Sequence, residues 1–166
     1  MRRPDVRAAL AALVVCAALI ANQSLAFASG GPRVSGGGTV DDSLGAASQL
    51  GLTASMSGGS FLCLMAGQSG GFPFGPWASV SQMEVKGDVT AGSLTITGTW
   101  SRFSGTARIH VVGKTSTGDV LIVTLTDMAY ASTQTEGGVG AYHQLDIPGV
   151  GTFAGRLRSG RINFTH

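Results

Sequence analysis

The chain has 166 residues, a formal net charge of +2 and a hydrophobic fraction of 43%. This length suits one ordinary domain rather than two. The charge excess lies within residues 1–28, where Arg2, Arg3 and Arg7 outnumber Asp5, and the remaining residues are balanced in basic and acidic side chains. A balanced domain offers no electrostatic attraction for nucleic acid or anionic membranes, so neither is expected as a partner.

Residues 1–28 have the three-part layout of a secretory signal peptide. A basic start precedes an apolar run at residues 8–21, and residues 25–28 end in a small-x-small pattern. The apolar run is shorter than the roughly 20 residues that span a bilayer. We therefore expect cleavage after Ala28, a secreted, extracellular protein, and no transmembrane anchor after cleavage.

Cys63 is the one cysteine that remains after this cleavage. A single cysteine cannot form an internal disulfide, so the domain is expected to be held by its core alone. Because residues 61–65 are an apolar run, the sequence predicts a buried Cys63 that acts as a small hydrophobic side chain. A reactive thiol and an intermolecular disulfide are the open alternatives.

The expected mature chain begins with a glycine-rich segment, residues 29–45. Its glycines, including Gly36-Gly37-Gly38, favour a flexible arm, with a short edge strand at Val34 and Val40 as the alternative. Residues 46–166 are then predicted to form a single antiparallel β domain. Its first hairpin covers residues 46–67, where apolar residues alternate and Gly58-Gly59 is a two-residue turn signal.

Residues 68–79 are predicted to be a loop rich in glycine, proline and aromatic residues. The prolines and glycines exclude a regular element, and the aromatic residues are Phe72, Phe74 and Trp77. Such side chains either stack on a ligand or fold back to plug the end of a β domain, and the plug is the favoured interpretation. Phe72, Phe74 and Trp77 are the candidate ligand contacts.

Residues 80–89 read as a strand, and residues 93–127 read as a β-meander. Three runs rich in Thr, Val and Ile are separated by turn signals at residues 101–105 and 114–118. The alternation predicts an apolar inward face and a face of Thr with Arg108 and His110 outside. The predicted inward residues are Leu94, Ile96, Trp100, Ile109, Val111, Leu121 and Val123.

The remaining residues are predicted to form a polar loop and three strands. The loop is assigned to residues 128–140 and the strands to residues 142–147, 151–158 and 161–164, with turns at Pro148-Gly149 and Ser159-Gly160. The whole pattern gives about nine short strands and no amphipathic helix. It predicts an all-β fold, either an antiparallel β-sandwich or a small β-barrel.

The titratable residues form no recognisable catalytic or metal-binding set. His110, His143 and His166 lie at no ligand spacing. The sequence also lacks a nucleophile elbow, a phosphate-binding glycine loop and a zinc-protease helix motif. We therefore expect no catalytic residue, no metal and no cofactor, and a chain that is not an enzyme.

Two charged groups have alternative interpretations. Asp127, Glu136 and Asp146 flank the predicted loop, but they lack the spacing of a calcium loop, so capping of loop amides is favoured over calcium binding. Three arginines near the end of the chain form a basic patch, for which a solvated strand face is favoured over an anion site. These arginines are Arg156, Arg158 and Arg161.

The order of segments resembles a family of small secreted bacterial β-domains. The similar segments are the glycine-rich opening at 34–38, GGSFLCLMAG at 58–67, TWSRFSG at 99–105, VLIVTLTD at 120–127 and the closing GTFAGRLRSGRINF at 151–164. This family, found chiefly in actinobacteria, comprises post-COAP-1 domains and hypothetical exported proteins. The resemblance implies a secreted, non-enzymatic β domain and supplies no catalytic residue.

Three functions remain open from the sequence. The first is a secreted, non-catalytic module for binding or for the cell surface, whose ligand is a carbohydrate, a peptide or a small apolar molecule. The second is a lipocalin-like carrier with a small apolar ligand inside its barrel. The third is a small secreted hydrolase. An unfilled interior would favour the carrier, whereas a solidly packed one would favour the first function.

Overall fold

The computed structural model describes residues 30–42, 47–66 and 76–166, and it is all-β over these residues, without a helix. Nine strands follow one another along the chain. They are β1 (Arg33–Asp42), β2 (Ala47–Ser55), β3 (Gly58–Ala66), β4 (Ser79–Val89), β5 (Thr95–Thr97), β6 (Trp100–Lys114), β7 (Val120–Thr135), β8 (Tyr142–Ile147) and β9 (Gly151–Thr165).

Eight of these strands close into an up-and-down antiparallel barrel. Strands β1 to β4 pair in sequence, β4 pairs with β6, strands β6 to β9 pair in sequence, and β9 returns to β1. The short strand β5 is an addition that pairs only with the first residues of β6. The structure confirms the predicted all-β fold and selects the barrel over the sandwich.

The core lies inside the barrel and is built by the alternation of each strand. In β6, for example, Phe103, Ile109 and Val111 point inward and are fully buried, whereas Arg102 and Arg108 lie outside. Cys63 is also buried in this core, as its apolar neighbours predicted. Since alternate residues of every strand enter one interior, the barrel buries a core without needing a second layer.

Strand β1 replaces most of the predicted flexible arm. Arg33–Asp42 pairs with β2 on one side and β9 on the other, and Val34 and Val40 are buried in the core. The glycines that suggested an arm allow close packing instead, because a Cβ on Gly38 would lie 1.9 Å from the carbonyl oxygen of Ser159. The prediction of a flexible arm is therefore wrong for Arg33–Asp42.

The first hairpin of the predicted meander is displaced toward its N-terminus. The turn lies at Gly98 and Thr99, where Gly98 has a φ of 57°, and β6 runs straight through the turn predicted at residues 101–105. Leu94 is buried as predicted, but Trp100 is 49% exposed. The turn resets the alternation, so Trp100 lies outside, where its ring is 5.7 Å from that of Tyr142.

Strand β7 replaces most of the loop predicted at residues 128–140. The strand continues to Thr135 through a bulge at Asp127, which has a φ of 57°. The bulge shifts the register against β6, and the inward side then carries several polar residues. Polar inward positions do not give the apolar alternation by which a strand is detected, and this made the segment look like a loop.

Strand β9 is longer than predicted, and the predicted turns are confirmed only in part. Residues 151–165 form the single strand β9, with a register shift against β1, rather than two strands joined at Ser159-Gly160. Strand β8 and the turn at Pro148-Gly149 are confirmed. The first hairpin turns at Met56 and Ser57, two residues before the predicted Gly58-Gly59.

The predicted signal peptide, residues 1–28, lies outside the described residues. Within the described residues, no helix is long and apolar enough to span a bilayer.

Candidate ligand-binding site in the barrel interior

One region of the barrel interior is polar. Beyond the bulge in β7, the inward positions carry Tyr130, Ser132 and Gln134, and all three are buried. The register places Ser101 of β6 opposite Gln134 on one side and His143 of β8 opposite it on the other. Three neighbouring strands therefore bring five polar side chains into one part of a core that is otherwise apolar except for Ser48.

Three of these side chains satisfy one another. The Ser132 hydroxyl donates to Gln134 Oε1 at 2.9 Å, and Gln134 Nε2 donates to Ser101 Oγ at 2.6 Å. These bonds orient the amide of Gln134, whose oxygen must accept and whose nitrogen must donate. The Ser132–Gln134–Ser101 chain is therefore a fixed polar wall.

The other two side chains lack hydrogen-bond partners among the described residues. Tyr130 is 2% exposed and His143 is 3% exposed. The Tyr130 hydroxyl and both ring nitrogens of His143 are buried without a partner. Each unsatisfied polar group of this kind costs about 1–3 kcal/mol, so such groups are rare in folded proteins and call for an explanation.

Aromatic rings surround these unsatisfied groups. The ring of Phe61 stacks on Tyr130 at a centroid distance of 5.1 Å and on His143 at 6.0 Å. Phe103 meets the edges of Phe61 and Tyr130 at 6.1 and 6.4 Å. These offset and edge-on arrangements are the favourable ones for aromatic rings, so they hold Tyr130 and His143 against Phe61.

Glycine makes the space that the Tyr130 ring occupies. A Cβ on Gly87 of β4 would lie 2.6 Å from Tyr130 Cε1, and one on Gly105 of β6 would lie 3.0 Å from the same atom. Both distances are shorter than a normal contact between carbon atoms. Glycine at these two positions on neighbouring strands therefore leaves room for the ring of Tyr130.

Burial keeps both unsatisfied groups uncharged at neutral pH. It lowers the pKa of His143 from 6.5 to about 4, because the imidazolium would lose its hydration inside the barrel. Burial also raises the pKa of Tyr130, and the charge of Asp88 adds to the effect. Tyr130 is therefore a hydroxyl donor, and the neutral His143 offers one donor and one acceptor.

The candidate ligand contacts predicted from the aromatic loop are elsewhere. Phe72 and Phe74 lie outside the described residues. Trp77 is buried, its Nε1 donates to the carbonyl oxygen of Leu121 at 2.9 Å, and its ring packs against Gly113. Gly113 and Leu121 are at the end of the β6–β7 hairpin opposite to Ser101 and Gln134, so Trp77 is not part of the polar region.

The other sequence candidates lie on the outer surface. His110 has Nδ1 3.1 Å from Thr124 Oγ1 and lines an outer groove with Glu84, Lys86 and Arg108. Because this groove contains Lys86 and Arg108 beside the carboxylate of Glu84, it carries a small net positive charge. The described residues contain no cluster of three or more His, Cys, Asp or Glu that could hold a metal ion.

The predicted basic patch consists of arginines with individual partners. Arg158 forms an ion pair with Asp41 at 3.3 Å, Arg156 donates to the carbonyl oxygen of Gly140, and Arg161 donates to Asn163. Two of the three acidic residues proposed as loop caps also have partners. Asp146 accepts hydrogen bonds from Gln144 and Thr152, and Glu136 accepts one from the Phe164 amide.

The sequence interpretation missed the five polar residues of the interior. Tyr130, Ser132 and Gln134 lay in a predicted loop, Ser101 lay in a predicted turn, and His143 was assigned to the start of a strand. One signal was present, because Met128, Tyr130, Ser132 and Gln134 alternate with small or β-branched residues. Because successive side chains of a strand point to opposite faces, a period of two is compatible with a strand even when one face is polar.

No protein-family model, curated protein or solved structure matches this chain. The fold and the interior therefore define its class, which is an eight-stranded up-and-down β-barrel with a polar region in its core. Barrels of this size are just wide enough either to be filled by their own side chains or to hold one small ligand.

Proposed function

We propose that this protein is a non-catalytic module that binds one small, mainly apolar molecule inside its barrel. The observation that carries the proposal is the set of three buried atoms without partners, the Tyr130 hydroxyl and the two ring nitrogens of His143. A ligand that bonds to them would recover the free energy lost on their burial. An apolar site with a few convergent polar groups is also the usual composition of a small-molecule pocket.

The proposal predicts saturable binding of an uncharged fluorescent probe. N-phenylnaphthylamine combines an apolar aromatic body with one N–H group. This group can donate a hydrogen bond to the unprotonated nitrogen of His143. Titration of purified protein lacking residues 1–28 should give a fluorescence increase that saturates at one probe per chain. A signal that rises linearly, without saturation, would contradict binding inside the barrel.

Substitution of His143 tests whether the probe lies in the interior, and a matched pair of tyrosine variants serves as the control. Tyr130→Phe removes a single oxygen inside the barrel, whereas Tyr142→Phe removes one from the outer face, where the hydroxyl is bonded to Gln144. A natural ligand that uses the Tyr130 hydroxyl should bind about tenfold more weakly to Tyr130→Phe. For the probe, which has no oxygen acceptor, both variants should bind as wild type does, whereas His143→Leu should weaken binding.

The alternative of a small hydrolase is tested separately. Ser101 and Ser132 share the interior with His143, but both nitrogens of His143 are without a hydrogen bond, so no serine is activated by it in this structure. We expect no turnover of p-nitrophenyl butyrate above a protein-free blank. Turnover that is lost in His143→Leu would refute the non-catalytic part of the proposal.

We also propose that the module works outside the cytoplasm. The support is the basic, apolar and small-x-small layout of residues 1–28. Expression of the full chain in a secreting bacterial host should release a product whose mass corresponds to cleavage after Ala28. Retention of the uncleaved chain in the cytoplasm would contradict this localisation.

A further inference from the structure

The interior residues restrict the charge of a ligand. Among the described residues, the buried polar side chains are Ser48, Ser101, Tyr130, Ser132, Gln134 and His143, and none of them is a carboxylic acid, a lysine or an arginine. A carboxylate or ammonium group placed among them would lose its hydration without gaining a counter-charge. This loss costs several kcal/mol or more, which makes an ionised ligand a poor occupant.

The interior also restricts the number of polar groups in a ligand. The hydroxyl of Ser132 and the amide of Gln134 already have partners within the Ser132–Gln134–Ser101 chain. Among the described residues, the unsatisfied buried atoms are those of Tyr130 and His143, and both of these rings stack on Phe61. One polar group beside an aromatic surface is enough to use the atoms of either residue.

Donor and acceptor directions specify what that polar group is. Tyr130 keeps its proton, so it needs an acceptor, and a neutral imidazole needs one donor and one acceptor. A hydroxyl group can accept from Tyr130, and at His143 it can either donate or accept, whereas a carbonyl group can only accept. A carboxylate can only accept and is charged as well.

We propose that the barrel interior selects uncharged molecules that carry a hydroxyl group on an aromatic or other flat apolar body, and that it rejects the corresponding carboxylates. This inference rests on the proposed function, because it names the ligand class of the same site. Three observations support it. The polar atoms of Tyr130 and His143 lack hydrogen-bond partners among the described residues, both rings lie beside Phe61, and the described interior residues include no buried charge.

Three naphthalene derivatives of equal ring size test the inference. Naphthol, naphthoate and unsubstituted naphthalene are each titrated at neutral pH against the protein loaded with N-phenylnaphthylamine, and probe displacement is followed. Naphthol should displace the probe at a concentration about tenfold lower than naphthalene, since it adds hydrogen bonds to buried groups. Naphthoate should be the weakest of the three.

The outcomes separate the inference from the proposed function. If the protein binds neither the probe nor naphthol, as followed by calorimetry, the proposed function fails. If the probe binds but naphthoate displaces it as well as naphthol does, the function stands and the selection for uncharged ligands is wrong. If naphthol and naphthalene are equivalent, the role of the unsatisfied hydroxyl and imidazole is wrong.

Variants assign the selectivity to the two side chains. Tyr130→Phe should reduce the advantage of naphthol over naphthalene to about threefold or less, and Tyr142→Phe should leave it unchanged. His143→Leu should act like Tyr130→Phe. Circular dichroism checks that each variant is folded, and if His143→Leu does not fold, Tyr130→Phe decides the question because it removes only one oxygen. An unchanged advantage in Tyr130→Phe would overturn the assignment.

Discussion

At the scale of single residues, His143 is the side chain that least suits its surroundings. It is buried beside Phe61 with both nitrogens unsatisfied. An apolar replacement of similar shape removes this penalty and keeps the ring contact. If His143 serves binding, its replacement by an apolar residue should stabilise the fold. If it serves stability, the same replacement should destabilise the fold.

We predict that His143→Phe raises the free energy of unfolding at neutral pH by about 1 kcal/mol. Urea unfolding followed by circular dichroism measures the change. The matched control is His110→Phe on the outer face, where the ring has Thr124 as a partner and no stabilisation is expected. His143→Leu is added in case the larger Phe ring is overpacked. A loss of stability in both position-143 variants would mean that the histidine is structural.

The same histidine should make the stability of the protein depend on pH. Its pKa is 6.5 when exposed and about 4 when buried, so the unfolded chain binds the proton first as the pH falls. The contribution that a neutral His143 makes to the free energy of unfolding is therefore fully present above pH 6.5, and it is lost as the pH drops toward about 4. The loss amounts to at most about 3 kcal/mol.

Comparison with a variant isolates this contribution from carboxylates that titrate in the same range. Between pH 7 and pH 4, the wild-type protein should lose more stability than His143→Phe does. Urea unfolding at several pH values gives the two slopes. Parallel slopes would show that His143 is protonated equally in the folded and unfolded chains.

At the scale of elements, strand β4 shows how glycine in one strand accommodates a large side chain from another. Gly87 faces inward, and a methyl group there would meet the ring of Tyr130 at 2.6 Å. Gly51 of β2 is a suitable comparison, because a methyl group on it would have no atom within 4 Å.

Gly87→Ala should therefore destabilise the barrel by about 1–3 kcal/mol, as overpacking usually does. Gly51→Ala should be neutral or slightly stabilising, since glycine in an unstrained strand has an entropic cost. Thermal unfolding of both variants measures the difference. Equal stability of Gly87→Ala and Gly51→Ala would mean that the Tyr130 ring can adopt another position. Its position beside Phe61 would then not be fixed.

The elements also show what the sequence could reveal. Strand β4 was predicted, because its inward residues are apolar and alternate with outward ones. Strand β8 was also predicted, because Leu145 and Ile147 alternate in the same way, although its inward His143 is polar. The second half of β7 was not, because Tyr130, Ser132 and Gln134 face inward there. Local patterns are expected to fail at functional sites, so the misread half of β7 coincides with the candidate site for a physical reason.

At the scale of the whole molecule, closure of the barrel depends on residues that look flexible in the sequence. Strand β1 is glycine-rich, yet it is the only link between β2 and β9 among the pairings of the described strands. Whether a sheet closes is decided by contacts between residues far apart in the chain, which a single sequence does not reveal. For this reason the sequence predicted a sandwich or a barrel without choosing between them.

Removal of β1 tests closure directly. A chain that begins at residue 43 lacks the buried Val34 and Val40 and leaves the edges of β2 and β9 unpaired, so it should lose cooperative thermal unfolding. A chain that begins at Arg33 keeps the whole strand and should melt at the same temperature as one that begins at Ser29. If residues 29–42 were an unpaired arm, their removal would leave unfolding cooperative and the melting temperature unchanged. That result would refute the closed barrel. Because the candidate site lies inside the barrel, the same truncated chain should also fail to bind N-phenylnaphthylamine, which makes closure a condition for the proposed function.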